Sequence, residues 1–228
     1  MDYYIISYLL TILAFIITMI AQIYVNSSYA KYKKKRNAKG ITGAEAARMV
    51  LDRNGLSDVR VQMVRGTLTD HYDPRNKTVN LSSDIYNGAS VAGVSVACHE
   101  CGHAIQDKDG YTFMRIRSSL VPIVNFSSRL GYFAILFGLI FSYANLIWVG
   151  IITEIVILAF QLVTLPVEFD ASKRALKEIE NMSILDKREY DGSKTMLKAA
   201  ALTYVASVAS TVVEILRLIL LASNRKRD

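Results

Sequence analysis

The chain has 228 residues, of which 52% are hydrophobic, with a positive mean hydropathy and a formal charge of +7. That is too apolar for an ordinary soluble domain and too charged for a chain wholly buried in lipid. The charges are clustered, so apolar and polar segments alternate along it.

Tyr4–Val25 carries no charged side chain and is about long enough for one helix to cross a bilayer. No basic residue precedes the run, and Ser27 and Ser28 alone offer small residues before the polar segment, so a cleavable signal is disfavoured. A retained transmembrane helix is expected. Lys31, Lys33, Lys34, Lys35, Arg36 and Lys39 follow at once, which puts this side in the cytoplasm and the N-terminus outside. A basic run is elsewhere a nucleic-acid patch, but beside an apolar span it reads as a topogenic signal, and no nucleic-acid partner is expected.

Thr42 and Glu45 match a capping box, after which Ala46, Ala47, Val50 and Leu51 form an apolar stripe at helical spacing, closed by Gly55. Val59, Val61 and Met63 alternate with polar residues as in a half-buried strand. A turn at Asp73-Pro74-Arg75-Asn76 leads to a second short strand, Lys77–Leu81, which is placed to hold an extended peptide by main-chain pairing. Ser90 caps a helix from Val91 to Gln106, which Asp107–Gly110 ends.

This helix carries His99-Glu100-Cys101-Gly102-His103, an H-E-x-x-H motif that uses two of the chain's three histidines. Positions i and i+4 share a helix face, so both imidazoles can reach one Zn²⁺, with Glu100 beside them as general base and then acid. The competing reading is a helix whose histidines only hydrogen-bond locally. Cys98 and Cys101 have the spacing of a redox or thiolate-ligand pair. At about 100° per residue they point away from the histidine face, so they are expected to pack the back of the helix in a reducing cytosol.

Leu130–Leu165 has Glu154 as its single formal charge and nearly twice the length of one span, which predicts a helical hairpin turning near Ser142–Asn145. A hairpin returns the chain to the cytoplasm. The last apolar stretch, Ala199–Ala222, contains Glu214 and Arg217 and precedes Arg225-Lys226-Arg227. Crossing would strand that tail outside, whereas an in-plane, re-entrant or protein-packed helix would not. Both arrangements stay open. Glu154 lies deep in the hairpin's second arm, so the 199–222 helix is expected to pack on 146–165, with Arg217 near Glu154 or Glu214. The alternative puts Glu154 near the outer headgroups, with Arg217 snorkelling to an interface.

A catalytic zinc keeps three protein ligands and one open position. Leu165-Pro166-Val167-Glu168-Phe169-Asp170-Ala171-Ser172 follows the hairpin and offers Glu168 as a ligand, with Asp170 or Ser172 to orient a histidine. Against this, Glu168 and Asp170 are ordinary charges near a helix N-terminus. His71, Asp73 and Asp107 are further candidates, His71 also as a group facing substrate.

Three separated stretches, Leu68–Arg75, Cys98–Gln106 and Leu165–Ser172, resemble the YugP-type neutral zinc metallopeptidases of bacteria, and the resemblance covers essentially the whole chain. More distantly, the plan is similar to HtpX-type and CAAX-prenyl-type membrane peptidases, where a Glu after a membrane hairpin completes a His-His-Glu site. The resemblance implies Glu168 as the third ligand. Those relatives often carry an Asp four residues after that Glu, where this chain has Ser172, so Asp170 stands as the substitute.

The expected fold is a mainly α membrane protein with a small α+β cytosolic zincin-like unit. Its segments are an N-terminal transmembrane helix (1–30), an α+β unit with the motif helix (31–120), a transmembrane hairpin (121–167), a cytosolic helix with the third ligand (168–198), and an apolar helix with a basic tail (199–228). The expected function is a bacterial, multi-pass membrane zinc metallopeptidase acting on peptides or membrane proteins at the cytoplasmic face. One Zn²⁺ would sit on His99, His103 and Glu168, with Glu100 as the base. The rival readings are an inactive zinc-binding membrane scaffold and a thiol oxidoreductase on Cys98 and Cys101. The first makes no use of a carboxylate beside the metal, and the second needs an exposed, acidic thiol.

Overall fold

The computed structural model describes residues 3–141 and 143–224. In chain order the elements are α1 (Tyr3–Lys33), α2 (Gly43–Arg53), β1 (Arg60–Val64), β2 (His71–Asp73), β3 (Thr78–Ser82), α3 (Ser83–Tyr86), α4 (Val91–Lys108), α5 (Thr112–Ile140), α6 (Ala144–Asn181) and α7 (Lys187–Asn224). The protein is mainly helical with one small mixed sheet. The chain forms two compact units. One takes the described residues of Met1–Gln22, Ile116–Leu165 and Leu202–Asp228, the other Ile23–Arg115 and Pro166–Ala201.

The first unit is apolar and helical. Among the described residues, α1, α5, α6 and α7 are each long and apolar enough to cross a membrane. Many of their large apolar side chains, such as Tyr8, Phe15, Phe126 and Tyr132, are exposed, as a lipid-facing surface would be. Small residues bring α5 and α6 together: a Cβ on Gly131 would lie 2.1 Å from Thr153 Oγ1. Helix α5 ends at Ile140 and α6 begins at Ala144, around the expected turn, although Ser142 itself lies outside the described residues. Ile147 and Ile151 of α6 pack on Leu218 and Ala222 of α7, so the 199–222 stretch does lie against 146–165. Arg217 pairs with Glu214, through Nε at 2.8 Å and Nη2 at 2.5 Å, rather than with Glu154. The basic tail, Arg225-Lys226-Arg227, lies outside the described residues.

Two segment boundaries read from the sequence, after 167 and after 198, fall inside continuous helices. Pro166 removes one backbone donor from α6 without ending it. Beyond it Val167, Ala171, Ala175 and Ile179 keep helical spacing on a buried face, so packing outweighs the missing bond.

The second unit is built on α4, whose residues from Val91 to Gln106 are almost all buried. Helix α2 begins with the full capping box between Thr42 and Glu45 and buries Ala46, Ala47, Val50 and Leu51, as its pattern predicts. Ser90 Oγ accepts from Gly93 N and caps α4. The core joins Tyr32 of α1, Val50 and Leu51 of α2, Val79 and Leu81 of β3, Val94 and Ala97 of α4, Ala175 and Ile179 of α6, and Met196 and Leu197 of α7. Four separate stretches of chain therefore supply one core.

The sheet order is β1-β3-β2, with β3 parallel to β1 and antiparallel to β2. All five β3 residues are buried. This corrects the expectation that the 77–81 strand pairs with a peptide. It is the central strand, hydrogen-bonded on both sides, and the free edges belong to β1 and β2. Burial in the first strand holds at Val59 and, in part, at Val61, but Met63 is exposed.

Candidate metal centre

Helix α4 presents His99, Gly102, His103 and Gln106 on one face at i, i+3, i+4 and i+7. The 167–172 stretch of α6 lies against that face. Gly102 permits the contact: a Cβ there would sit 2.5 Å from the Ala171 carbonyl oxygen, closer than any side chain tolerates. With α6 so near, Glu168 Oε2 lies 3.3 Å from His99 Nε2 and 3.7 Å from His103 Nε2. One ligand atom from each of the three residues lies within 4.8 Å of the others. Two imidazoles and a carboxylate are the donor set that zinc takes at catalytic sites, so these residues fit the ion.

The surroundings fix the chemistry of the donors. Gln106 is fully buried, and its amide nitrogen donates to the Val167 carbonyl at 2.8 Å and to Asp170 Oδ2 at 2.9 Å. Both partners only accept, so the Gln106 oxygen must face the other way, 3.0 Å from His103 Nδ1. His103 therefore carries its proton on Nδ1, which leaves the Nε2 lone pair pointing toward Glu168 and His99. Asp170 is held in turn by Arg174 Nε at 2.6 Å, and Arg174 also reaches Asp109. Ser172 Oγ lies 3.2 Å from His99 Nδ1 and occupies the corresponding position on the other ring. Burial opposes charge on His103, but the carboxylates of Glu168 and Glu100 beside it outweigh that and raise its proton affinity. A pocket that favours a proton there also favours a dication. Glu100, one residue from His99, is buried at 8% exposure.

The other candidates lie elsewhere. His71 stands on β2, with Nδ1 2.8 Å from the Thr69 carbonyl and Nε2 3.3 Å from Asn80, outside the three-residue cluster. Asp73 closes its own turn by accepting from Arg75 N and Asn76, and Asp107 accepts from Tyr72 Oη. Cys98 and Cys101 are free, fully buried thiols, with Cys101 Sγ 3.6 Å from the Ala47 carbonyl behind α4. Burial pushes both thiols well above the usual range, which is the wrong direction for a reactive cysteine.

A protein-family profile described as "Putative neutral zinc metallopeptidase" matches residues 7–223. The chain belongs to that family. It is 45% identical to "Putative membrane protease YugP" of Bacillus subtilis (strain 168) over 219 residues, 96% of this chain and 97% of the relative. No solved structure matches it. Membership of a zinc peptidase family implies zinc, and the cluster of His99, His103 and Glu168 is where the chain offers three suitable donors. Gln106 is the site residue that the sequence reading left without a role. Its spacing of i+3 from His103 on a helix with few polar residues was the available signal.

Proposed function

We propose that the protein hydrolyses peptide bonds as a membrane-bound zinc metallopeptidase whose active site faces the cytoplasm. The observation that carries this reading is the convergence of His99 Nε2, His103 Nε2 and Glu168 Oε2, with the buried Glu100 on the same turn as the histidines. His99, His103 and Glu168 would hold the zinc, which would supply Lewis-acid activation of a water and of the scissile carbonyl. Glu100 takes a proton from the attacking water and delivers it to the leaving amine nitrogen as the carbon–nitrogen bond breaks. Gln106 and Ser172 keep the imidazoles turned, and Asp170 anchors Gln106. His71 lies on the short edge strand β2, where it is available to a bound peptide and not to the ion. The cytoplasmic placement is supported by the basic run Lys31–Lys39, which belongs to the same compact unit as the three donors.

The test is Glu100→Gln in the full-length protein, with metal content and peptide cleavage measured on the same sample. Zinc should stay at one per chain, because the amide is not replacing a ligand. Cleavage should fall by about a thousandfold, the range expected when a general base is lost. Undiminished cleavage would remove Glu100 from the chemistry, and loss of zinc would make it a ligand.

A further inference from the structure

Beside the metal centre, which it adjoins at Ser172, the polar halves of α6 and α7 line an open cleft of about 480 Å³. Its floor is apolar, from Leu176 and Leu197, with Phe169 and Ala201 at one end. Its walls carry two i,i+4 lysine pairs, Lys173 and Lys177 on α6 and Lys194 and Lys198 on α7. None of these four ammonium groups makes an ion pair or hydrogen bond among the described residues. Glu180 is the single acidic residue of the lining. Four exposed lysines around an apolar floor suit an anion that also brings apolar surface.

Position along the helices says which anion. Phe169 comes two residues after Val167, where the uncharged run that follows Glu154 in α6 ends, and Lys198 directly precedes Ala199, where the apolar part of α7 begins. At a rise of about 1.5 Å per residue, Phe169 lies about 3 Å beyond the end of that run, and Lys198 within about 2 Å of the apolar part of α7. A helix that leaves the hydrocarbon there passes through the headgroup layer at the cleft. We infer that this cleft binds an anionic phospholipid, its phosphate held by Lys173, Lys177, Lys194 and Lys198 and its acyl chains leaving past Phe169 and Ala201 toward the hydrocarbon. Lysines beside the membrane surface attract anionic lipid, so four together give preference over a zwitterionic one.

The probe is dioctanoyl phosphatidylglycerol, titrated into the full-length protein in a neutral detergent and followed by microscale thermophoresis. Wild type should bind it saturably. A variant with all four lysines changed to Gln should lose at least about tenfold in affinity, and the matching Arg variant should keep it within about threefold. Dioctanoyl phosphatidylcholine and inorganic phosphate should each bind at least about tenfold more weakly to wild type. Equal binding of phosphatidylcholine, or full affinity in the Gln variant, overturns the inference. Inorganic phosphate matching the lipid would make this a free-anion site. Displacement of the lipid by a Glu-rich octapeptide would make it a groove for acidic peptides. Either result overturns it as well. The Arg variant and the wild-type comparisons remain decisive if the Gln variant folds poorly.

Discussion

At the scale of the residue, His103 has its tautomer chosen by a glutamine whose own orientation is forced by two oxygens that only accept. Replacing Gln106 with Leu removes that acceptor and strands the Asp170 carboxylate against Arg174. Zinc affinity, read by competition with a chromogenic chelator, should fall by about ten- to a hundredfold, the usual effect of losing a group that orients a ligand. The Ser172 hydroxyl polarises the His99 imidazole less than a carboxylate in its place would. Ser172→Asp should tighten zinc binding and Ser172→Ala should loosen it slightly; the reverse order would mean that His99 is oriented by something else. That His99, His103 and Glu168 come together was legible from the sequence, because local spacing and one long-range likeness name them. Gln106 was not, because its role depends on the Val167 carbonyl and Asp170, more than 60 positions later and brought near only by the fold.

At the scale of the element, the site depends on how closely α6 lies against α4. Gly102→Ala places a methyl group where the Ala171 carbonyl oxygen now sits, and a backbone atom cannot swing aside as a side chain does. Helix α6 must retreat and take Glu168 with it. Full-length Gly102→Ala should bind zinc more weakly than wild type and melt at a lower temperature by differential scanning fluorimetry. Unchanged values for both would show that the helices have slack. The helix starts at Thr42 and Ser90 could be read in advance because capping is local. The centrality of β3 could not, since a buried strand and an edge strand differ in what lies beside them. The continuity of α6 past Pro166 was missed for a similar reason: proline's local penalty is visible in sequence, while the burial of Val167, Ala171 and Ala175 that offsets it is not.

At the scale of the molecule, the second unit has an extensive apolar core of its own, built from residues such as Leu51, Leu81, Val94 and Ile179, beside the buried donors His103 and Glu168. Stripping the metal with a chelator should therefore abolish cleavage while leaving the helical circular dichroism signal in place. The melting temperature should drop by the amount that ligand binding to the folded state had added, and return with zinc. Collapse of the helical signal on chelation would show instead that the ion is structural. The membrane character was legible at this scale because long uncharged runs need no tertiary information, and the packing of Ile147 and Ile151 on Leu218 agrees with it.

The core that surrounds the histidine helix also sets an order in time. Tyr32, Leu51 and Val94 leave the ribosome early, but the residues that cover them from the other side, Ala175, Ile179, Met196 and Leu197, follow only after the whole hairpin has been made. Until then the motif helix has half its wall missing and two of its three donors in hand. A nascent chain halted between α5 and α6 thus carries an uncovered apolar surface and an unfinished set of donors. The three donors come together in a single late step, when Glu168 and the segment behind it dock, so the metal centre is finished last of all.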